Sequence, residues 1–227
     1  MNNFYQRFFD ILFSLLAIIL LSPIFIVVSI VLLVISGDGV IYTQKRVGLN
    51  AKVFGVYKFV TMVKDSETLG SGIITVKNDS RVFPFGKFLR KTKINELPQL
   101  FNIVKGDMSI IGPRPVPEKH FLHYTKNAQE NIKRIKPGLS GLGSIVFRDE
   151  EEILEKVAND KVEFYDRLIS PYKGKVETWY VENTNIFLYF KLIWMTIKVV
   201  IFPNHKINFQ ESFKNMPTPP TELRVLL

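Results

Sequence analysis

The chain has 227 residues, enough for one domain of moderate size or one domain with an appendage. Its 30 Lys and Arg against 21 Asp and Glu give a formal net charge of +9, which favours an anionic partner: nucleic acid, an anionic membrane face or a phosphorylated substrate. Cysteine is absent, which excludes disulfides, Cys-ligated zinc and a thiol nucleophile.

Residues 11–36, ILFSLLAIILLSPIFIVVSIVLLVIS, form an apolar run of 26 residues without a charge. A helix of this length exceeds the roughly 30 Å hydrocarbon core of a bilayer, and the run is too long for a cleaved signal peptide. Pro23 in its middle predicts a kink, and the Ser22 hydroxyl is expected to bond to a carbonyl of the preceding turn. Cations flank both ends, so the residues leave open a kinked spanning helix and a re-entrant hairpin.

The stretch after the apolar run predicts short strands. VIYTQKRVG and KVFGVYKFVTMV alternate enough for two strands joined by the turn GLNAK, and LGSGIITVKNDS predicts a further strand-like segment. Residues 80–91 mix bases with Phe, which predicts a short amphipathic helix that lies on a membrane surface or packs in the core.

Apolar residues at helical spacing over residues 97–104 predict a helix. Asn is a favoured N-cap, Glu suits the first turn, and Pro98 is tolerated there, so we expect this helix to begin at Asn95–Glu96. A helix start also attracts anions, and Arg90 approaches it from the N-terminal side.

Residues 112–117, GPRPVP, predict a rigid extended loop. The loop presents Arg114, whose planar guanidinium matches phosphate oxygens, and Pro113 and Pro115 limit the entropy that the arginine loses on binding. With Arg90 and the helix start, this predicts a phosphate or pyrophosphate pocket at a membrane surface.

The C-terminal half predicts helices at 118–134 and 150–169, separated by the Gly-rich loop KPGLSGLGS. Residues 185–202 predict an interfacial or groove-packed helix, with Trp194 and Tyr189 suited to a headgroup boundary, or else a core helix whose lysines reach outward. The Pro-rich tail, MPTPPTELRVLL, predicts irregular structure.

Ordered segments along almost the whole chain resemble the bacterial sugar transferase family, the small monotopic phosphoglycosyl transferases. The segments are RFFD (7–10), SP (22–23), QKRVG (44–48), YKF (57–59), NDSR (78–81), GKFLR (86–90), ELPQLFN (96–102), KGDMS (105–109), GPRP (112–115), KPG (136–138) and WYVEN (179–183).

The resemblance implies a helix-rich α+β fold. A re-entrant membrane helix hairpin, kinked at Ser22 and Pro23, would occupy residues 1–36. A catalytic domain with short strands and interfacial amphipathic helices would occupy 37–203, and an irregular tail 204–227. It also implies a bacterial inner-membrane protein whose globular domain faces the cytoplasm, and the apolar helices would allow a homodimer.

The resemblance also implies a reaction. Such enzymes move a phosphosugar from a nucleotide diphosphosugar, commonly UDP-linked, to polyprenyl (undecaprenyl) phosphate, the first membrane step of capsule, exopolysaccharide, O-antigen or glycoprotein glycan assembly. They use Mg²⁺ and an Asp-Glu dyad whose Asp forms a covalent phosphosugar intermediate. Nucleic acid is a poor alternative partner, because the basic residues are dispersed and the apolar run has no place in such a protein.

By this resemblance Asn95 and Glu96 are the catalytic candidates and the candidate Mg²⁺ ligands. The candidates for phosphate and nucleotide binding are Arg90, Arg114, Pro113 and Lys58.

Two positions depart from the family pattern. Asn95 stands where the family has Asp, and a carboxamide is a poor nucleophile and a weaker Mg²⁺ ligand. Val60 stands where the pattern KFRSM has Arg. Asn95 is an engineered inactivating change, or it is natural and Glu96 or direct attack by the lipid phosphate replaces the Asp. The remaining alternative is a catalytically impaired membrane-anchored protein that binds the nucleotide-sugar or polyprenyl phosphate.

Overall fold

The computed structural model describes residues 3–37, 39–64, 66, 79–157, 161–202 and 207–226. Within them the fold is helix-rich α+β with short strands, as predicted. The longer helices are α1 (Asn3–Leu20), α2 (Ser22–Ile35), α3 (Pro84–Lys91), α10 (Ser170–Asn183) and α11 (Ile186–Ile201). The shorter helices are α4 (Gln99–Lys105), α5 (Glu118–Leu122), α6 (Lys126–Ile132), α7 (Leu142–Val146), α8 (Glu150–Glu155), α9 (Lys161–Phe164), α12 (Phe209–Ser212) and α13 (Thr221–Arg224). The strands are β1 (Ile41–Val47), β2 (Val53–Phe59), β3 (Ser109–Ile111) and β4 (Gly138–Ser140).

The chain forms two compact units, and each is described by itself. The first comprises Met1–Phe9, Arg46–Phe54 and Asp107–Leu227, and the second comprises Asp10–Lys45 and Gly55–Gly106. The division into segments 1–36, 37–203 and 204–227 stays a prediction.

The apolar run breaks where Ser22 and Pro23 predict it. Helices α1 and α2 meet at Leu21 with a bend of 62°. The Ser22 hydroxyl donates to the Ile19 carbonyl at 2.8 Å, which confirms the predicted bond to the preceding turn. No single helix in the described ranges is long and apolar enough to cross a membrane, whereas the bent pair α1–α2 meets both conditions by length and composition alone.

The predicted pair of strands is present. β1 and β2 form a two-stranded sheet, and a short 3₁₀ turn at Leu49–Ala51 joins them. Asn50 and Ala51 hold positive φ angles of 55° and 60°, as a tight reversal requires. The strand-like segment expected at 69–80 lies almost entirely outside the described residues.

The core of the second unit joins α2, the end of β2 and α3. Val28, Leu32, Phe59 and Leu89 are buried together. Gly86 allows α3 to approach the chain beyond β2, since a Cβ at this position would lie 2.2 Å from the Thr61 carbonyl oxygen. The helix predicted within residues 80–91 is therefore confirmed, and it packs in the core on this side.

The Gly-rich stretch after residue 135 is not the loop that its composition predicts. β4 pairs in parallel with β3, in the register Ser109–Gly138 and Ile111–Ser140, and α7 follows. The pairing needs glycine, because a Cβ at Gly138 would lie 2.1 Å from the Gly112 nitrogen. Glycine here allows close backbone approach, which composition alone reads as a loop.

Two long helices predicted in the first unit are divided. Residues 118–134 form α5 and α6, because the Thr125 hydroxyl accepts from the Ala128 amide and caps a new helix. Residues 150–169 form α8, then α9 and a π-helical turn at Tyr165–Ile169 that runs into α10.

The helix predicted at 185–202 is confirmed as α11, and it has two different faces. Leu192 and Tyr189 are buried in the core, so the prediction of Tyr189 at a headgroup boundary is wrong. Phe187, Trp194 and Ile201 are exposed on the other face.

The C-terminal tail packs on α10 and α11 and is more regular than predicted. Phe213 lies edge-on to Trp179 with ring centroids 5.6 Å apart, and the Lys191 ammonium lies 4.4 Å above the Phe213 ring. The Tyr172 hydroxyl donates to the Pro217 carbonyl at 2.9 Å, and Leu223 is fully buried. The tail therefore belongs to the core of the first unit.

Candidate active site

In the second unit, β2 and the turn after α3 bring a cation and a carboxylate together. Lys58 lies near the end of β2, and Glu96 lies in a 3₁₀ turn, Ile94–Glu96. The Lys58 Nζ is 3.6 Å from the Glu96 Oε1, and both side chains are largely buried. Two of the candidate site residues therefore lie in contact, and their roles stay predictions.

Asn102 of α4 holds the strand that carries Lys58. Its side chain accepts from the Tyr57 amide at 2.9 Å and donates to the Gly55 carbonyl at 2.7 Å. Asn102 is fully buried. Its two hydrogen bonds satisfy backbone groups of β2, as a neighbouring strand would. Because Tyr57 adjoins Lys58, the amide fixes the backbone from which the lysine reaches Glu96.

Arg90 in the last turn of α3 is oriented by the segment that follows β2. Its Nε donates to the Thr61 hydroxyl at 3.1 Å. The neighbouring Val60 is buried. Thr61 is a neutral acceptor, and its hydroxyl orients the guanidinium of Arg90.

Asn95 does not cap the following helix. Lys93, with a φ of 60°, introduces the 3₁₀ turn, and α4 begins four residues after Asn95, with Pro98 at its N-cap and no side-chain cap. Asn95 is 8 % exposed, and its Oδ1 has no hydrogen-bond partner among the described residues. The expected start at Asn95 is wrong because the turn intervenes, and the side chain keeps an unused buried acceptor.

In the first unit, the loop predicted at 112–117 follows β3 without regular structure, which confirms the prediction. The Gly112 amide donates to the Ser140 carbonyl, and the Gly138 amide donates to the Pro113 carbonyl, both at 2.9 Å. Pro113 is buried and the Arg114 side chain is exposed. The loop therefore holds an arginine outward from a fixed backbone.

Glu177 of α10 lies behind this loop. Its Oε1 accepts from the Arg114 amide at 3.4 Å, and its Oε2 has no hydrogen-bond partner within the described part of the chain. Burial raises the pKa of Glu177 to about 7, against the opposing effects of the Arg114 amide and the Lys173 and Arg114 charges. Burial, with the Glu177 charge second, also raises the pKa of Tyr124 well above its usual value.

The predicted site residues thus fall in both units. Lys58, Arg90, Asn95 and Glu96 belong to the second unit, whereas Pro113 and Arg114 belong to the first. Sequence reasoning assigned no role to two supporting residues, Asn102 and Glu177. A signal existed for Glu177, because it adjoins Val176 in a helix whose buried residues Tyr172, Val176 and Tyr180 recur every four positions.

Asn95 and Glu96 are suited to hold a magnesium ion whose remaining ligands the substrate would supply. No group of three or more His, Cys, Asp or Glu among the described residues could hold a metal alone. The unused Oδ1 of Asn95 and the neighbouring carboxylate of Glu96 offer two oxygens. Mg²⁺ is commonly held by one or two carboxylates together with substrate phosphates, so this donor set is sufficient although it carries one charge fewer than an Asp-Glu pair.

Comparison with known sequences identifies the family of the chain. The sequence model of the family described as Bacterial sugar transferase matches residues 1–203. The chain belongs to the bacterial sugar transferase family. The match includes the strand, helix, turn and loop that carry the six candidate residues, and their roles stay predictions.

Several curated proteins are similar to this sugar transferase. A UDP-glucose:undecaprenyl-phosphate glucose-1-phosphate transferase of Klebsiella pneumoniae is 36 % identical over 86 % of this chain and 40 % of its own length. An undecaprenyl-phosphate galactose phosphotransferase of Salmonella typhimurium is 31 % identical over 88 % of this chain and 41 % of its own length. An exopolysaccharide production protein ExoY of Sinorhizobium fredii is 32 % identical, over 86 % of this chain and 84 % of its own length. The chain therefore spans about two fifths of the first two relatives.

Proposed function

We propose that this chain transfers a phosphosugar from a UDP-linked sugar to undecaprenyl phosphate, the first membrane step of exopolysaccharide, capsule, O-antigen or glycoprotein glycan assembly. Membership of the sugar transferase family and the names of its relatives support this class of reaction. The observation that carries it is the Lys58–Glu96 pair, next in the chain to the unused oxygen of Asn95. Such a set can bind a diphosphate and stabilise the charge that develops on it.

The transfer balances without a charged residue at position 95. A phosphate oxygen of the acceptor attacks the sugar-linked phosphorus of the donor, the bond from this phosphorus to the bridging oxygen breaks, and UMP leaves with that oxygen. Lys58 and Arg90 would neutralise the phosphoryl oxygens, and Arg114 would hold a phosphate from its own loop. Glu96, the more accessible of the two neighbours, is the carboxylate available to act as a substitute nucleophile in a two-step route.

A bound Mg²⁺ would neutralise the donor's diphosphate. Glu96 and Asn95 would hold it together with phosphate oxygens of the donor. Asn95 contributes only a neutral oxygen, so we expect weaker metal binding than in an Asn95→Asp variant.

Turnover tests this proposal. The purified chain, in parallel with Asn95→Asp and Glu96→Gln, is incubated with radiolabelled UDP-glucose, UDP-galactose or UDP-N-acetylgalactosamine, undecaprenyl phosphate and Mg²⁺. We expect UMP release by the wild type and a loss of at least about a hundredfold in Glu96→Gln, since the only carboxylate of the pair is gone. Asn95→Asp should raise the rate by supplying the second carboxylate.

The outcomes separate the alternatives. Release by Asn95→Asp alone would identify the chain as a catalytically impaired binding protein or an inactivated variant. If neither the wild type nor Asn95→Asp released UMP, the result would contradict the proposed function. Release by the wild type with Glu96→Gln unaffected would favour direct attack by the acceptor phosphate.

For the N-terminal segment we propose a re-entrant insertion into the cytoplasmic face of the bacterial inner membrane. Exposed apolar side chains, such as Ile19, Leu20, Leu33 and Val34, cover α1 and α2. If both arms sloped equally from the 62° bend, the apex would lie about 11–14 Å deep at 1.5 Å per residue, within one leaflet. An interfacial position for the exposed face of α11 and homodimerisation stay predictions.

Cysteine labelling tests the topology. Single cysteines at Asn3 and Asn50 are introduced into the chain, which contains none, and are labelled with a membrane-impermeant maleimide in oriented vesicles. Both should react only from the cytoplasmic side. Reaction of one of them from the opposite side would show a spanning helix instead.

A further inference from the structure

Glu177 is a buried ionisable side chain that has no role in the proposed transfer reaction. It is 3 % exposed and lies within the first unit, behind the loop that presents Arg114. Burial of a carboxylate costs free energy unless hydrogen bonds or nearby charges compensate for the loss of water. Its placement therefore needs an explanation from its contacts.

Two backbone segments meet the Glu177 carboxylate. Its Oε1 accepts from the Arg114 amide at 3.4 Å. A Cβ at Gly143 of α7 would lie 2.3 Å from the same oxygen, so the glycine leaves the room that the carboxylate occupies. The carboxylate is thus held between the start of α7 and the loop at 112–115.

The loop has few backbone N–H groups that another part of the chain could bind. Pro113 and Pro115 have no N–H, so Gly112 and Arg114 carry the only amide hydrogens of residues 112–115. The Gly112 amide donates to the Ser140 carbonyl. The Arg114 amide, next to the side chain that would meet phosphate, donates to Glu177.

Charged and titratable neighbours surround the carboxylate. Lys173, one turn earlier on α10, pairs with Glu150 and lies 5.3 Å from the Tyr165 ring centroid. The Lys173 charge and the Arg114 charge both favour the ionised form of Glu177. Tyr124 is buried close enough to respond to the Glu177 charge.

We propose that Glu177 is a positioning residue for donor binding: its buried carboxylate holds the Arg114 amide and so sets where the Arg114 guanidinium meets a phosphate of the donor. The inference rests on the proposed function for the role of the guanidinium. The fixing of the amide does not depend on it, because that part concerns only contacts within the first unit.

Amide hydrogen exchange tests the fixing of the loop. The full chain in lipid nanodiscs is compared with Glu177→Met, which keeps the length of the side chain but cannot accept a comparable hydrogen bond, and with Glu177→Gln, which can. Exchange at Arg114 should become at least about tenfold faster in Glu177→Met and stay near the wild type in Glu177→Gln. Exchange at Gly112 should not change, because its bond to Ser140 is intact.

A second variant reaches the same contact from the other side. Gly143→Ala keeps Glu177 but places a methyl group against its Oε1. A side-chain end can move, so the fold should survive, and the Arg114 amide should again exchange faster. Equal acceleration at Gly112 and Arg114 in these variants would indicate general loosening and overturn the proposal.

Donor binding tests the second part. The dissociation constant of UDP-glucose is measured for the wild type, Glu177→Met, Arg114→Ala and the double variant. Glu177→Met should weaken binding about tenfold in the wild-type background and less than about twofold in the Arg114→Ala background, because it acts through that arginine. Glu182→Gln, an exposed acid on the same helix, is the control and should change neither binding nor exchange.

Equal weakening in both backgrounds would overturn the proposal, since Glu177 would then act independently of Arg114. If no UDP-sugar bound or turned over in any form, the proposed function would fail. The exchange rates at Arg114 and Gly112 would still decide whether Glu177 fixes the loop.

Discussion

The two units place their cations by similar means but with supports of different chemistry. In the second unit Asn102 bonds to two backbone groups of β2 and so holds Lys58. In the first unit Glu177 bonds to the amide of Arg114. Each cation is thus supported by a buried polar side chain from a later helix.

The two supporting side chains, Asn102 and Glu177, differ in how many of their polar atoms are hydrogen-bonded and in whether they can carry a charge. Both polar atoms of the Asn102 side chain are bonded, and an amide does not titrate. Glu177 has one oxygen without a partner in the described residues and a pKa raised to about 7 by burial. The comparison indicates that the support in the second unit is insensitive to pH, whereas that in the first unit changes its charge near neutrality.

The largest expected effect breaks the support in the second unit. Asn102→Leu would leave the half-buried Tyr57 amide and Gly55 carbonyl without their partner, at a cost of about 4 kcal/mol in the free energy of unfolding. The loss should be the same at pH 5 and pH 8. Denaturant unfolding in detergent measures it.

The matched control is Asn183→Leu, at an exposed asparagine near the end of α10. It should change the free energy of unfolding by no more than about 0.5 kcal/mol. A loss for Asn102→Leu no larger than that of the control would show that the two bonds to β2 contribute little.

A smaller effect, dependent on pH, sharpens the contrast in the first unit. The pKa of Glu177 rises from 4.5 to about 7 on folding, so the native state keeps a proton that the unfolded chain has lost. Stability from this group is therefore full below pH 4.5 and falls as pH rises to about 7. Glu177→Gln, which does not titrate, should match the wild type near pH 4.5 and be more stable at pH 8 by about 3 kcal/mol, or about 8 °C in Tm.

Thermal unfolding between pH 4.5 and 8 measures this difference. Glu182→Gln provides the control, and its curve should run parallel to that of the wild type. A constant difference between wild type and Glu177→Gln across the range would mean that Glu177 has the same pKa in both states.

Features with a local cause were predictable from the sequence. Ser22 and Pro23 predict the break in the apolar run, and the hydroxyl bond confirms its mechanism. The turn between β1 and β2 and the helix after Pro98 also follow from neighbouring residues. Lys58 and Glu96, two of the candidate site residues, lie 3.6 Å apart, and their role in phosphate chemistry, which the resemblance to a family supplied, stays a prediction.

Features that depend on distant partners were not predictable. The composition of the stretch around Gly138 predicts a loop, but pairing with β3 makes it a strand. Asn95 is a residue type that favours the N-cap of a helix. Lys93, in the left-handed region, instead introduces a 3₁₀ turn at Ile94–Glu96 before α4 begins. Asn102 and Glu177 bond to groups 45 and 63 residues away. The spacing of buried residues on α10 indicates that Glu177 lies near the core, but it does not identify the partner of either side chain.

The packing of the C-terminal tail matters for how the protein is produced and handled. The family match ends at residue 203, yet Phe213 and Leu223 are buried against helices within it. A fragment cut at the end of the match would expose an aromatic face around Trp179 and would tend to aggregate. An affinity tag fused at the C-terminus would lie close to Leu226, which packs against this core, so a long polar spacer or an N-terminal tag would perturb the packing less.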